Sequence, residues 1–260
     1  VLSDYIFQLK NAEHFMHRRE ALLEVTKKQE EKVAFNAVVS AMNDASYKIR
    51  ILALEKVDLI NKFAKKDAIE KIKQMANSDK KTLVQAAALE TLGKLTDPEL
   101  QPIFAKALNS KSYSVLGKAL VSVYYIDKQL AIDKSKTLPD EVRKILATPL
   151  TRIFIEENNE KELPFIAKSV LSGMFLTGDD ATKAIYQKAF TMISESNNTE
   201  AIQNLVDDMV VKGNQFKSFN FDKVVINLMR KMIETQKTKN TPNRVRNTAI
   251  IKEAMGKLLI

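Results

Sequence analysis

Three stretches of the chain share one pattern: Ile49 to Val57 (IRILALEKV), Val84 to Leu92 (VQAAALETL) and Val115 to Val123 (VLGKALVSV). Their starts are offset by 35 and then 31 residues, the spacing expected when each repeat is one helix pair stacked on the next. A single pair of this kind cannot bury its apolar face alone, so the repetition commits this part of the chain to an array. Small residues recur at Ala53, Ala88 and Ala119, each followed by leucine at Leu54, Leu89 and Leu120. That order suits helices that cross closely, with the small side chain at the contact and the leucine filling the space beside it.

Each motif helix follows a polar break and a second apolar-periodic segment. After the polar run Lys27 to Lys32, a helix to about Met42 carries the stripe Val33, Ala37, Val38 and Ala41. Asn43-Asp44-Ala45-Ser46 interrupts it, because short polar side chains compete with the helical backbone for hydrogen bonds. The motif helix then runs from Tyr47 to Ile60. In the next unit Ala68, Ile69, Ile72, Met75 and Ala76 precede the turn Asn77-Ser78-Asp79, and the motif helix ends near Gly93. The third unit opens at Thr96-Asp97-Pro98-Glu99, where a capping side chain, an early proline and a first-turn carboxylate agree on a helix start. Its stripe is Ile103, Phe104, Ala107 and Leu108, and its turn is Asn109 to Ser112.

Upstream, Asp4 to about Val25 reads as one amphipathic helix or two short ones. Beyond Asp127 the regular pattern fades, yet helical periodicity persists over about 140–158, 163–177, 180–194, 199–211, 221–237 and 242–259. Asn240-Thr241-Pro242 signals the start of the last helix, with Val245, Ala249 and Leu259 as its inner face. No segment alternates strictly enough to read as a strand. The expected domains are residues 1–28 as leading helix or helices, 29–127 as three repeats, and 128–260 as an irregular continuation of the helical array.

Charge is unevenly placed. The chain holds 41 Lys+Arg against 32 Asp+Glu, a net +9, and residues 211–260 alone hold 11 against 3. Within that segment Arg230, Lys231, Arg244, Arg246, Lys252 and Lys257 are the candidate basic interaction surface, for nucleic acid or an acidic partner. A solvated helix face that keeps the protein in solution is the plainer reading of the same residues. With no cysteine, a disulfide framework and a thiolate metal or redox site are excluded. No apolar run approaches the roughly 18 to 20 residues needed to cross a bilayer, and no signal peptide is recognisable, so membrane insertion is not expected and the compartment is not readable. A start at Val1 in place of methionine raises the expectation of a piece excised from a longer protein.

The residues offer no active site. The only histidines are His14 and His17, three apart, whereas a zincin helix needs HExxH to bring two imidazoles and a glutamate base to one metal. There is no G-x-S-x-G elbow, and the 6 glycines form no phosphate-binding loop. Glu156-Glu157, Asp179-Asp180 and Asp207-Asp208 point in different directions on a helix, which suits caps and solvated faces better than paired-carboxylate catalysis. Catalytic, cofactor-binding and metal residues are accordingly expected to be absent.

The motif units resemble HEAT repeats, and Val84-Gln85-Ala86-Ala87-Ala88-Leu89-Glu90-Thr91-Leu92-Gly93 is the closest copy of their second helix. The fold class expected is all-α, a HEAT- or armadillo-like α-α superhelix of stacked antiparallel helix pairs, less regular in its C-terminal half. Taken with Phe15 to Ala21, Asn43 to Arg50 and Lys111 to Leu120, the chain also resembles the C-terminal helical-repeat domain of bacterial zinc aminopeptidases of the aminopeptidase N family. That resemblance implies a non-catalytic domain that packs on the catalytic domain of the same polypeptide and shapes peptide access. Zinc is then expected only in the parent's catalytic domain, with no cofactor in this chain. A stand-alone HEAT-type scaffold for a protein partner is the alternative, and a nucleic-acid-binding helical-repeat protein ranks below both.

Overall fold

The structure, a computed structural model, describes residues 1–61, 63 and 66–258, in two compact units, Val1–Leu146 and Ala147–Ile260. Regular structure among the described residues is entirely helical, and the fold is an all-α array of stacked helix pairs. In the first unit the pairs are α1 (Leu2–Asn11) with α2 (Phe15–Thr26), α3 (Lys32–Ala41) with α4 (Tyr47–Lys56), α5 (Lys66–Ser78) with α6 (Thr82–Gly93), and α7 (Gln101–Ala107) with α8 (Tyr113–Tyr124). The second helix of each pair lies against the second helix of the next, α2 on α4, α4 on α6 and α6 on α8. α9 (Lys128–Thr137) packs on α8, and α10 (Asp140–Ile145) ends the unit.

The recurring small residue and leucine form the spine of this stack. Ala53, Ala88 and Ala119 are buried, as are Leu54, Leu89 and Leu120. Ala21 and Leu22 of α2 are buried in the same way, so the leading helices are a pair like the others. Hydroxyls tie neighbouring second helices: Thr91 Oγ1 donates to the Leu54 carbonyl at 2.9 Å, and Ser122 Oγ donates to the Leu89 carbonyl at 3.2 Å. Gly93 permits the second approach, since a Cβ there would sit 2.4 Å from Ser122 Oγ.

Arginine clasps lock the pairs to one another. Arg18 donates from Nε and Nη2 to both carboxylate oxygens of Asp44, at 2.7 and 3.0 Å, while its Nη1 reaches the Ala12 and Glu13 carbonyls. Arg50 repeats the arrangement, donating to Asp79 at 2.9 and 2.9 Å and to the Asp44 and Ala45 carbonyls. Each arginine thus joins the turn of its own pair to the turn of the next. Asp44 and Asp79 also accept the amides of Ser46 and Lys81, two residues on, which shapes each turn. At the corresponding place Gln85 keeps only the bond to its own turn, at the Asp79 carbonyl. The hydrogen bond to Asp44 holds the Arg18 guanidinium above its ordinary pKa. Burial pushes the Asp79 carboxyl up, but the bonds from Arg50 and the Lys81 amide, with the charges of Arg50 and Lys71, outweigh it and hold Asp79 below the usual carboxylate range.

Several boundaries differ from the sequence expectation, each for a local reason. Of the two forms expected for Asp4 to Val25, one helix or two short ones, the segment takes the second, α1 and α2, with His14 Nδ1 capping α2 by accepting the Met16 amide. Val33 is exposed at 54%, because the buried stripe of α3 is Ala34, Phe35, Ala37, Val38 and Ala41. α4 stops at Lys56 instead of Ile60: Gln29 donates to the Lys56 carbonyl and accepts the Asp58 amide, which takes the chain out of the helix. α9 was not expected, since its only buried residues are Ala131 and Ser135. The single helix expected over 140–158 is two, α10 and α11 (Ala147–Glu156). Pro149 lacks an amide hydrogen, and its ring would meet the carbonyl of residue 145 in a continuous helix.

In the second unit α12 (Leu163–Ala167) and α13 (Val170–Phe175) replace one expected helix; Ser169 bonds back to the Ile166 carbonyl through both its amide and its hydroxyl and so ends α12. α14 (Asp180–Glu195) and α15 (Thr199–Gln215) are followed by α16 (Phe221–Thr238) and α17 (Arg244–Gly256). α14 packs on α16 and α15 on α17, so stacking of pairs recurs here too. Asp179 caps α14 by accepting the Ala181 and Thr182 amides, and Asp208 pairs with Lys212 at 2.5 Å.

Arg50→Ala leaves the half-buried Asp79 unpaired and should lower unfolding free energy by about 2 to 3 kcal/mol in urea titrations. Asp79 contributes its stability above its unfolded pKa of about 3.9 and loses it as pH falls through the lower folded value, so Asp79→Asn should flatten the acid limb of stability below about pH 4. At Gly173 an added Cβ would lie 1.9 Å from the buried Tyr186 ring, whereas at Gly178 it would meet nothing within 4 Å. Gly173→Ala should therefore cost about 3 kcal/mol in the same assay, and Gly178→Ala less than about 0.5 kcal/mol.

Candidate interaction surface

The basic segment belongs to α16 and α17, and a buried polar network sets how those helices present their side chains. Gln236 and Asn247 are fully buried. Gln236 Nε2 donates to the Ser194 and Ser196 carbonyls at 2.7 and 3.1 Å, and Asn247 Nδ2 donates to Gln236 Oε1 at 3.3 Å. Thr199 Oγ1 donates to Asn247 Oδ1 at 2.9 Å, while Asn243 donates from its backbone amide to Asn197 Oδ1 and from Nδ2 to the Asn197 carbonyl. The turn between α14 and α15 is thereby joined to both α16 and α17.

Asn247 fixes the rotation of α17. Its buried face is Asn247, Ile251 and Ala254, continued by Leu258. Val245 and Ala249, expected inside, are exposed, Val245 at 75%. Leu259, the third residue expected there, lies outside the described residues. A pattern of apolar residues misplaces this face because its anchoring residue is polar, and a buried amide is acceptable only where partners satisfy it.

With this rotation the six basic residues, all exposed, divide between faces. Arg244 and Lys252 line a shallow groove of about 520 Å³ between α16 and α17, with Val245, Thr248 and Ala249 along it and Lys237 on the α16 side. Arg230 and Lys231 line a separate depression of about 530 Å³ between α14 and α16, beside Phe190 and Glu234. Arg246 is about 200° round the helix from Arg244 at 3.6 residues per turn, and Lys257 pairs with Glu253 at 3.1 Å. Lys237 pairs with Glu234 at 2.6 Å, whereas Arg244 and Lys252 have no carboxylate within 4.0 Å among the described residues.

Elsewhere His14 and His17 stand with ring centroids 5.8 Å apart, and among the described residues no group of three or more His, Asp or Glu is placed to hold a metal ion. No described helix is long and apolar enough to cross a membrane. The residues that sequence reasoning missed are the clasps and the Gln236–Asn247 network. The available signal for the first was Arg18-x-x-Ala21-Leu22, which matches Arg50-x-x-Ala53-Leu54 at an offset of 32 residues.

A family model for HEAT repeats matches residues 35–123, from within α3 to within α8. The chain thus carries HEAT repeats, and the α1–α2 pair outside the match shares their arginine clasp. No curated protein matches the sequence. Among solved structures, the complex of CpcE and CpcF of phycocyanin lyase from Nostoc sp. PCC7120 is similar at 15% identity with a TM-score of 0.48, over 99% of this chain and 94% of that one.

Replacing Asn247 by Ala strands the Thr199 hydroxyl and Gln236 Oε1 inside the unit and should cost about 2 to 4 kcal/mol in urea unfolding. Arg244→Glu with Lys252→Glu, both exposed and without ion-pair partners, should shift the same curve by less than about 0.5 kcal/mol.

Proposed function

We propose that the chain is a protein-binding scaffold of HEAT type. The observation that carries this reading is the run of HEAT repeats over residues 35–123, an architecture that offers extended helical surfaces to partners. In the second unit the basic residues of α16 and α17 lie on separate faces, and on one of them Arg244 and Lys252 line a groove with no carboxylate partner among the described residues. The finer reading, a C-terminal domain of a zinc aminopeptidase, rests on the sequence resemblance alone.

Cross-linking in the native cell, followed by reconstitution of the purified chain with each cross-linked protein, tests the proposal. A stoichiometric complex on size-exclusion chromatography is the expected result. Recovery of a parent polypeptide bearing HExxH, with zinc-dependent aminopeptidase activity, would replace the scaffold by the peptidase domain. Binding to RNA or DNA that weakens steeply with salt, with no protein complex, would replace it by the nucleic-acid reading.

A further inference from the structure

We propose that the α16–α17 groove docks an acidic amphipathic helix of a partner protein. This rests on the scaffold reading and names the partner's chemistry. Val245 and Ala249, one turn apart and exposed, form a short apolar strip, and Arg244 and Lys252 stand at its two ends. Lys252 stands eight positions after Arg244, about 12 Å along the axis at 1.5 Å per residue. A partner helix carrying two carboxylates about two turns apart, with apolar residues between them, matches that spacing in both charge and polarity. A groove between two helices takes such a helix by burying its apolar stripe, while the flanking charges set register and orientation.

Charge decides among the occupants. Lys237 is already neutralised by Glu234, but Arg244 and Lys252 face the groove without carboxylate partners among the described residues. A second copy of this chain would bring the same two cations to the same strip, so self-docking sets like charges against each other. A nucleic acid strand would place phosphates over Val245 and Ala249, and the groove lining contains no aromatic ring on which a base could stack.

The probe is a fluorescein-labelled peptide of about eighteen residues, helical by composition, with two glutamates eight positions apart and leucines at the first and fifth positions after the leading one. Anisotropy titrations against the full chain should show saturable binding. Arg244→Glu with Lys252→Glu should weaken it about tenfold or more, as should Val245→Asp, and a peptide with lysines replacing the glutamates should bind the charge-reversed variant better than the parent protein. Arg246→Glu, on another face of α17, should change affinity by less than about twofold. Absence of peptide binding, or binding indifferent to Arg244→Glu with Lys252→Glu, overturns the proposal. So does tighter binding of a single-stranded RNA of similar length through the same two residues. The two readings fail separately: a cross-linked protein partner whose complex survives Arg244→Glu with Lys252→Glu removes the groove and keeps the scaffold. A cell that yields no protein partner removes the scaffold itself.

Discussion

The bidentate contact between an arginine on one pair and an aspartate in the turn of the next does what apolar packing cannot do alone. Helices with an Ala-Leu spine bury well in several neighbouring registers, because hydrophobic burial is non-directional. A guanidinium with donors in a rigid fork accepts far fewer geometries. Arg18 and Arg50 each fasten two turns at once, their own through backbone carbonyls and the next through Asp44 or Asp79. Sliding one pair past the next would strand a half-buried charge on either side. The clasp therefore selects one register from those that the apolar spine permits. After α6 the clasp gives way to other contacts: Gln85 stands in the arginine's place, Ser122 with Gly93 brings α8 close to α6, and Lys118 pairs with Glu90 at 2.8 Å.

The second unit meets the same requirement with amides. Gln236 and Asn247 join the 194–199 turn to α16 and α17. Buried and neutral, they avoid the desolvation cost of an ion pair while keeping directional bonds. The effect reaches the surface: turning Asn247 inward turns Val245 and Ala249 outward. An internal hydrogen-bond network thereby sets the polarity of an external groove.

What the amino-acid order revealed, and what it hid, follows from this division of labour. The stacked helices were legible because Ala53-Leu54, Ala88-Leu89 and Ala119-Leu120 are apolar and periodic. The matching pair in α2 was hidden by its charged neighbours Arg18, Arg19 and Glu20, although Arg18 is the clasp. α9 was hidden because it buries almost nothing, and the break before α11 because periodicity counts apolar residues and gives Pro149 no weight. The basic segment was visible as composition. Its partition was not, since the face each charge occupies depends on a helix rotation set by Asn247.

A stacked array separates the residues that align its helices from those that meet other molecules. In this chain the aligning groups are buried or half-buried, partnered and tied to the turns. Arg244 and Lys252 are exposed, lack carboxylate partners among the described residues, and are not among the side chains of the Gln236–Asn247 network. Stability then depends little on which charges occupy those two positions, so their identities are free to be set by binding. The clasp arginines have no such freedom, because each one's charge already satisfies an aspartate of the next pair. Equal formal charge thus corresponds to different physical roles, distinguished by whether a carboxylate from the chain itself is already in place.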